Sequence, residues 1–262
     1  MRSAFELYLF AVNPELIAQA DHAGVDGFVV DWETQGKSHR QRNADTGISQ
    51  HTIEDLRRVR AATGKRVLCR LNQCGPTTGR ELEMACDGGA DEVLLPMVRS
   101  VREVSEVLDQ VNSRIPVGIL VETVAAVSIA DHLAELPLSR VFLGLNDLAI
   151  DRATPLFDAV ADGTVERVRS AFGQRPFGFG GLTHPEYGSP IPCRLLLSEM
   201  IRLHCQYSFL RRSFLRDVPA ASFPEAIAAI RGATAAACDR TPIMVQTDRD
   251  ALQARLLQGR VV

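Results

Sequence analysis

Glu92-Val93-Leu94-Leu95-Pro96-Met97-Val98 carries a single charge, at its first position, and Ser100 to Asn112 follows it with Val101, Val104, Val107, Leu108 and Val111 at helical spacing. A short, near-continuous apolar run is what a strand buried on both faces of a parallel sheet requires. Spacings of three and four put the valines on one side of a helix. The next apolar run, Val117 to Val121, completes a strand–helix–strand unit.

Outward from this unit the same alternation continues in both directions. The strand candidates are Phe5 to Val12, Gly27 to Trp32, Arg66 to Leu71, Glu92 to Val98, Val117 to Val121, Arg140 to Leu145, Pro176 to Leu182 and Tyr207 to Phe214. Arg211 and Arg212 interrupt the last of these. Helical patterns lie between them. Pro14 to Ala23 starts after Asn13 and stops at Gly24; Thr52 to Ala62 stops at Gly64; Thr123 to Leu136, Thr164 to Phe172, Arg194 to His204 and Phe223 to Ala237 continue the series. Strict βα alternation implies a parallel sheet. Eight repeats favour a closed (β/α)8 TIM barrel, whose usual size of about 250 residues suits a single domain over all 262 residues. Neither a GxGxxG nor a Walker loop is present, which weighs against a nucleotide-binding sheet. Two stretches exceed ordinary connections. Thr34 to Gln50 follows strand two, where long loops are usually functional. The tail after Cys238, residues 239–262, is expected to pack on the barrel or on a neighbouring subunit.

A net charge of -3 argues against a nucleic-acid partner. No apolar run nears the roughly 20 residues that span a bilayer, and Glu6 sits where a secretion signal needs its apolar core. A cytoplasmic protein is expected. The six cysteines form no Cys-x-x-Cys pair and read as reduced, buried thiols.

Active sites of β/α barrels lie at the C-terminal ends of the strands. That rule selects Asp31-Trp32-Glu33, Arg70-Leu71-Asn72, Glu122-Thr123, Asn146-Asp147 and Thr183-His184. Glu122 and Asp147 each follow an apolar strand; two carboxylates converging there repel unless a cation lies between them. Oxygen ligands without His or Cys suit Mg2+ or Mn2+. Spacing alone leaves a second reading open, with Asp147 as a helix cap and Glu122 paired to an arginine. Arg70 stands in the otherwise apolar Val67-Leu68-Cys69-Arg70-Leu71. Its guanidinium fork matches a carboxylate or enolate oxygen, and an ion pair with Glu33 or Asp31 is the structural alternative. The turn Gly144-Leu145-Asn146-Asp147 opens a helix and offers N–H groups to a carboxylate, which makes Leu145 and Asn146 substrate-binding candidates. Among the histidines, His22, His132 and His204 read as helix-surface or terminal residues. His39 and His51 lie in or beside the long second loop, and His184 is the best placed for catalysis.

Five pieces of the chain, in order, resemble the HpcH/HpaI aldolase and citrate lyase β-subunit family of metal-dependent pyruvate aldolases. They are Gly24 to Glu33, Val67 to Asn72, Gly89 to Val98 (with Pro96), Gly118 to Thr123 and Val141 to Ala149. The resemblance implies a (β/α)8 barrel, a divalent metal (Mg2+ or Mn2+) on Glu122 and Asp147, and Arg70 on the oxygen of a bound 2-oxo acid. It also implies a homo-oligomer, because such proteins often exchange a C-terminal helix. The implied reaction is carbon–carbon cleavage or condensation through a pyruvate-type enolate. Family aldolases often carry a histidine after the strand-two glutamate, and the citrate lyase-like branch an aspartate; here that position is Thr34. A base would come from His39, His51, His184 or metal-bound water. The segment Thr183 to Arg194 also departs from the usual family ending and points to a distinct subgroup.

The expectation is therefore a metal-dependent lyase or synthase acting on a small 2-oxo acid such as pyruvate or oxaloacetate. Arg70, Glu33 and His184 are its catalytic candidates, Pro96, Leu145 and Asn146 further substrate contacts, and Glu33 orients Arg70. The alternatives are a citryl- or malyl-ester lyase, a carbon–phosphorus enzyme of the same superfamily, and a barrel that binds ligands without catalysis.

Overall fold

Successive side chains of a strand point to opposite faces, and that alternation sorts the apolar residues into two cores. Tyr8, Val29, Leu68, Leu94, Leu120, Phe142, Tyr207 and Phe209 form one cluster. Their immediate neighbours, among them Leu7, Phe28, Val67, Val93, Ile119 and Val141, belong to a second and larger one. The first set fills the inside of a barrel, and the second lies between the barrel and its helices.

The computed structural model describes residues 5–34 and 51–258. Its strands are β1 (Glu6–Phe10), β2 (Gly27–Asp31), β3 (Arg66–Arg70), β4 (Glu92–Leu95), β5 (Val117–Val121), β6 (Val141–Leu143), β7 (Phe177–Phe179), β8 (Gly181–Leu182) and β9 (Tyr207–Leu210). All pairings are parallel, in the order β7-β6-β5-β4-β3-β2-β1-β9-β8. These nine parallel segments and the surrounding helices form a nearly closed α/β barrel of the TIM type, as the repeats lead one to expect.

The ninth segment arises because the expected seventh strand is broken. Gly180, at φ +60°, turns the chain between β7, which pairs with β6, and β8, which pairs with β9. Gln206 spans the remaining gap: its N–H donates to the carbonyl of Phe177 at 2.9 Å, and its Oε1 accepts from the Phe177 N–H at 2.8 Å.

Other boundaries also differ from the sequence expectations. Strand eight was expected to reach Phe214, but β9 stops at Leu210 and a short helix, Arg212–Asp217, follows. Its N–H of Phe214 donates to Arg211 O, closing a turn that the strand would have left open. Thr123 to Leu136 is two helices, Val124–Ser128 and Ala130–Ala134, separated at Ile129. A further helix after β3, Thr78–Asp87, which was not among the helices read from sequence, buries Thr78, Leu82 and Ala85. Where caps are strong the boundaries agree: Ser100 with Glu103, and Thr52 with Asp55, form capping boxes at the starts of their helices.

The bottom of the barrel is closed by charge and aromatic rings. Arg140 lies over Tyr8 (5.0 Å) and Tyr207 (4.8 Å), and its Nε donates to both oxygens of Glu92 at 2.8 Å. The C-terminal helix Pro242–Gln258 packs on the helix Cys193–Arg202, burying Leu252 and Leu256. Arg240 anchors the approach to it by donating to Ser198 O at 2.6 Å. Cys69, Cys193 and Cys205 are buried free thiols, Cys74 and Cys86 are partly buried, and Cys238 is exposed. Among the described residues no helix is long and apolar enough to cross a membrane.

Candidate active site

Carried to the C-terminal ends of the strands, the interior register of Val29, Leu68, Leu120, Phe142 and Phe209 reaches Asp31, Arg70, Glu122, Gly144 and Arg211. The bulky aromatics below leave a cavity of about 330 Å³ above them. Phe10, Leu120, Phe142 and Phe209 form its apolar floor, and Leu156 and Phe157 flank it. Its polar wall is Arg70, Glu122, Asn146, Asp147, Arg211, Arg212 and Ser213.

Glu122 is 2% exposed and lies just beyond β5. Its Oε1 accepts from the N–H of Met97, which the positive φ of Met97 turns toward it, at 2.9 Å. Its Oε2 lies against Gly144, where an added Cβ would stand only 2.5 Å away. A side chain at residue 144 and this carboxylate therefore exclude one another. Asp147 sits in the first turn of the helix Leu145–Arg152 and is 8% exposed. Burial pushes the Glu122 carboxyl up to about 8, Asp147 and Glu33 push in the same direction, and Arg70 opposes them.

Arg70 ends β3 directly opposite Asp31, the last residue of β2. Its Nε and Nη2 donate to the two Asp31 oxygens at 2.9 and 2.8 Å, and its Nη1 lies 3.1 Å from Glu33 Oε2. Burial works against the charge, but Asp31 and Glu33 more than restore it, so the guanidinium stays protonated. Phe10 packs under it at 5.4 Å. The bidentate partner is thus Asp31, with Glu33 as a second carboxylate. Asp31 Oδ2 also accepts from Arg212 Nη2 at 2.9 Å, which joins the ends of β2 and β3 and the helix after β9 in one network.

The remaining candidates are distributed unevenly. Leu145 and Asn146 line the cavity. Pro96 is buried next to Met97 and does not line it. His184 lies outside the lining as well: it stacks on Tyr187 (4.8 Å between centroids), and its Nδ1 accepts weakly from the Glu186 N–H at 3.4 Å. His51 Nδ1 accepts from the Asp31 N–H at 3.0 Å and so caps the end of β2. Thr34 is exposed, with its N–H donating to Asn72 Oδ1 at 2.9 Å. His39 and the rest of the second loop lie outside the described residues. Sequence reasoning missed Arg211, Arg212 and Ser213 as part of the wall; the two arginines breaking an apolar strand were the available signal.

Glu122 and Asp147 suit a hard divalent cation. Both are buried and face the same cavity, and their mutual repulsion is the kind that a bound cation relieves. No group of three or more His, Cys, Asp or Glu side chains placed to hold a metal occurs among the described residues. Two protein carboxylates would thus be the protein's share, as suits Mg2+ or Mn2+, which keep positions for water and substrate oxygens.

A parallel β/α barrel with an acidic pair and a clamped arginine at its C-terminal mouth has the architecture of a barrel enzyme. The chain belongs to the HpcH/HpaI aldolase/citrate lyase family, whose model matches residues 4–158, from before β1 to past Asp147. Among solved structures it is similar to an HpcH/HpaI aldolase from Desulfitobacterium hafniense DCB-2, with a TM-score of 0.62 and 17% identity over 84% of this chain and 91% of that one. A second, an HpcH/HpaI aldolase/citrate lyase family protein from Burkholderia cenocepacia J2315, gives a TM-score of 0.63 and 14% identity over 86% and 94%. These likenesses bear on the fold. No curated protein matches the chain. Family membership supports a lyase- or aldolase-type function on a small molecule, and the family is generally metal-dependent.

Proposed function

We propose that the protein is a metal-dependent carbon–carbon lyase or synthase acting on a small 2-oxo acid of the pyruvate or oxaloacetate type. The observation that carries this reading is that Glu122, Asp147 and Arg70 line one cavity above an apolar floor. Glu122 and Asp147 would hold the cation, which when bound supplies Lewis-acid stabilisation of negative charge on a substrate oxygen. Arg70 donates to the oxygen on which charge grows as the carbon–carbon bond breaks or forms, and its own charge is already in place before that happens. Asp31 and Glu33 position it. The N–H groups of Leu145 and Asn146, opening a helix, receive the substrate carboxylate. Phe10, Phe142 and Phe209 keep water from the floor of the cavity and so strengthen these interactions.

The test is oxaloacetate decarboxylation with Mn2+ and with EDTA, because stabilising an enolate is sufficient for that reaction. Metal-dependent decarboxylation is expected, and Glu122→Gln should lower it by ~10²-fold or more, the range for losing a group that stabilises transition-state charge, with the melting curve retained. Equal rates in Mn2+ and EDTA, or an active Glu122→Gln variant, would refute the proposal.

A further inference from the structure

Three of the residues that line the cavity beside the acidic pair carry a hydrogen-bonding atom that the described fold leaves unused. Arg211 Nε, Arg212 Nη1 and Ser213 Oγ are all buried and have no hydrogen-bond partner among the described residues. They come from consecutive residues, and all three residues line the cavity. Buried polar atoms are normally satisfied, and leaving one unmet costs about 1–3 kcal/mol. Three such donors on consecutive residues that line one cavity make an acceptor there the economical way to satisfy them.

Local structure explains how they are held. Arg211 continues the interior register of Tyr207 and Phe209, and Gly181 gives it room, since a Cβ there would lie 3.0 Å from Arg211 Cβ. The N–H of Arg211 donates to Leu182 O at 2.8 Å, which fixes the backbone at the end of β9. Each arginine is also tethered at its other end. Arg211 Nη2 lies 3.5 Å from Asp217 Oδ2, and Arg212 Nη2 donates to Asp31 Oδ2 at 2.9 Å. The tethers hold the side chains in place while leaving Nε of one and Nη1 of the other without an acceptor among the described residues. Burial disfavours the Arg212 charge; Asp31 supports it and Arg70 opposes it, leaving its pKa below the ordinary arginine value. An anion beside it would supply the missing stabilisation.

We infer that Arg211, Arg212 and Ser213 form an oxyanion subsite that takes a carboxylate or phosphate group at the end of the substrate remote from its 2-oxo acid part. The assignment of which end is remote rests on the function proposed above. The subsite itself rests only on the geometry of residues 211–213, which lie beyond the family match at 4–158. It makes this wall a determinant of specificity: substrates with an anionic far end are held across the cavity, and neutral ones are not.

The subsite is tested by calorimetric titration of the metal-free, full-length protein with succinate and with inorganic phosphate. Saturable binding of either probe is expected. Ser213→Ala should weaken it roughly 3-fold, and Arg211→Gln at least ~10-fold, as for neutral and charge-assisted hydrogen bonds respectively. Melting curves of both variants establish that they fold, and Ser213→Ala keeps the test valid should Arg211→Gln not. Binding of succinate alone assigns a carboxylate, binding of phosphate alone assigns a phosphate, and either supports the subsite. No saturable binding, or affinities unchanged in both variants, overturns it. Because no metal is present, such a failure leaves metal-dependent oxaloacetate turnover untouched. Conversely, absent turnover with intact probe binding refutes the proposed function alone.

Discussion

Arg70 is held by groups of the fold itself, as its proposed role beside a growing negative charge requires. Its two bonds to Asp31, the Glu33 carboxylate at 3.1 Å and the Phe10 ring beneath it fix the plane of the guanidinium. Lysine could keep the charge but not the fork. Arg70→Lys should therefore reduce kcat/KM for oxaloacetate decarboxylation by ~10²-fold or more while the protein still folds, since charge-assisted bidentate bonds carry both energy and geometry. Steady-state kinetics beside a melting curve would check this, and a variant with native kinetics would remove Arg70 from the chemistry. Much of this was legible in sequence, because an arginine inside an apolar strand demands an anionic partner. Which carboxylate answers the demand was not. Asp31 ends β2 and Glu33 follows it by two residues; the pairing of Asp31 opposite Arg70 gives Asp31 the bidentate contact and leaves Glu33 the second.

At the scale of elements, the break between β7 and β8 decides what lines the cavity. Gly180 adopts a φ of +60°, and a Cβ there would lie 3.2 Å from Leu145 Cδ1 and 3.3 Å from Leu196 Cδ2. Gly180→Ala combines a left-handed backbone with that crowding, so a loss of about 1–3 kcal/mol is expected. Urea denaturation measures it; an unchanged midpoint would mean that the turn is not strained by a side chain. Sequence periodicity showed this region as one strand, since Pro176 to Leu182 is apolar throughout and a glycine inside such a run gives no sign of its φ. Strand eight was misread in the opposite sense. It was carried on to Phe214 across Arg211 and Arg212, but these have anionic partners in Asp217 and Asp31, and the chain turns there into a helix.

Over the whole molecule, charge is buried at both ends of the barrel and apolar side chains fill the middle. The lower end holds Arg140 between two tyrosines, paired to Glu92 and away from the candidate active site. Arg140→Met would leave the Glu92 carboxylate buried without its guanidinium, which typically costs 3–5 kcal/mol. A correspondingly lower denaturation midpoint is expected, with kcat per folded molecule little changed; an unaltered midpoint would show that the pair contributes nothing to stability.

The sequence by itself determined the parallel barrel, because apolar runs buried on both faces and amphipathic helices between them admit few other arrangements. It also located Arg70 and Glu122 at strand ends, where alternation turns a polar residue inward, and Asp147 in the turn after β6, which the structure makes the first turn of a helix. Tertiary structure alone decided how the barrel closes through Gln206 and a divided strand. It alone decided that Arg212 reaches Asp31, 181 residues away along the chain, and that residues 211–213 line the same cavity as Glu122 and Asp147. The reason is physical: local periodicity specifies which way a side chain points, whereas its partners at the mouth come from other strands and exist only once the sheet has curved round to join β1 with β9.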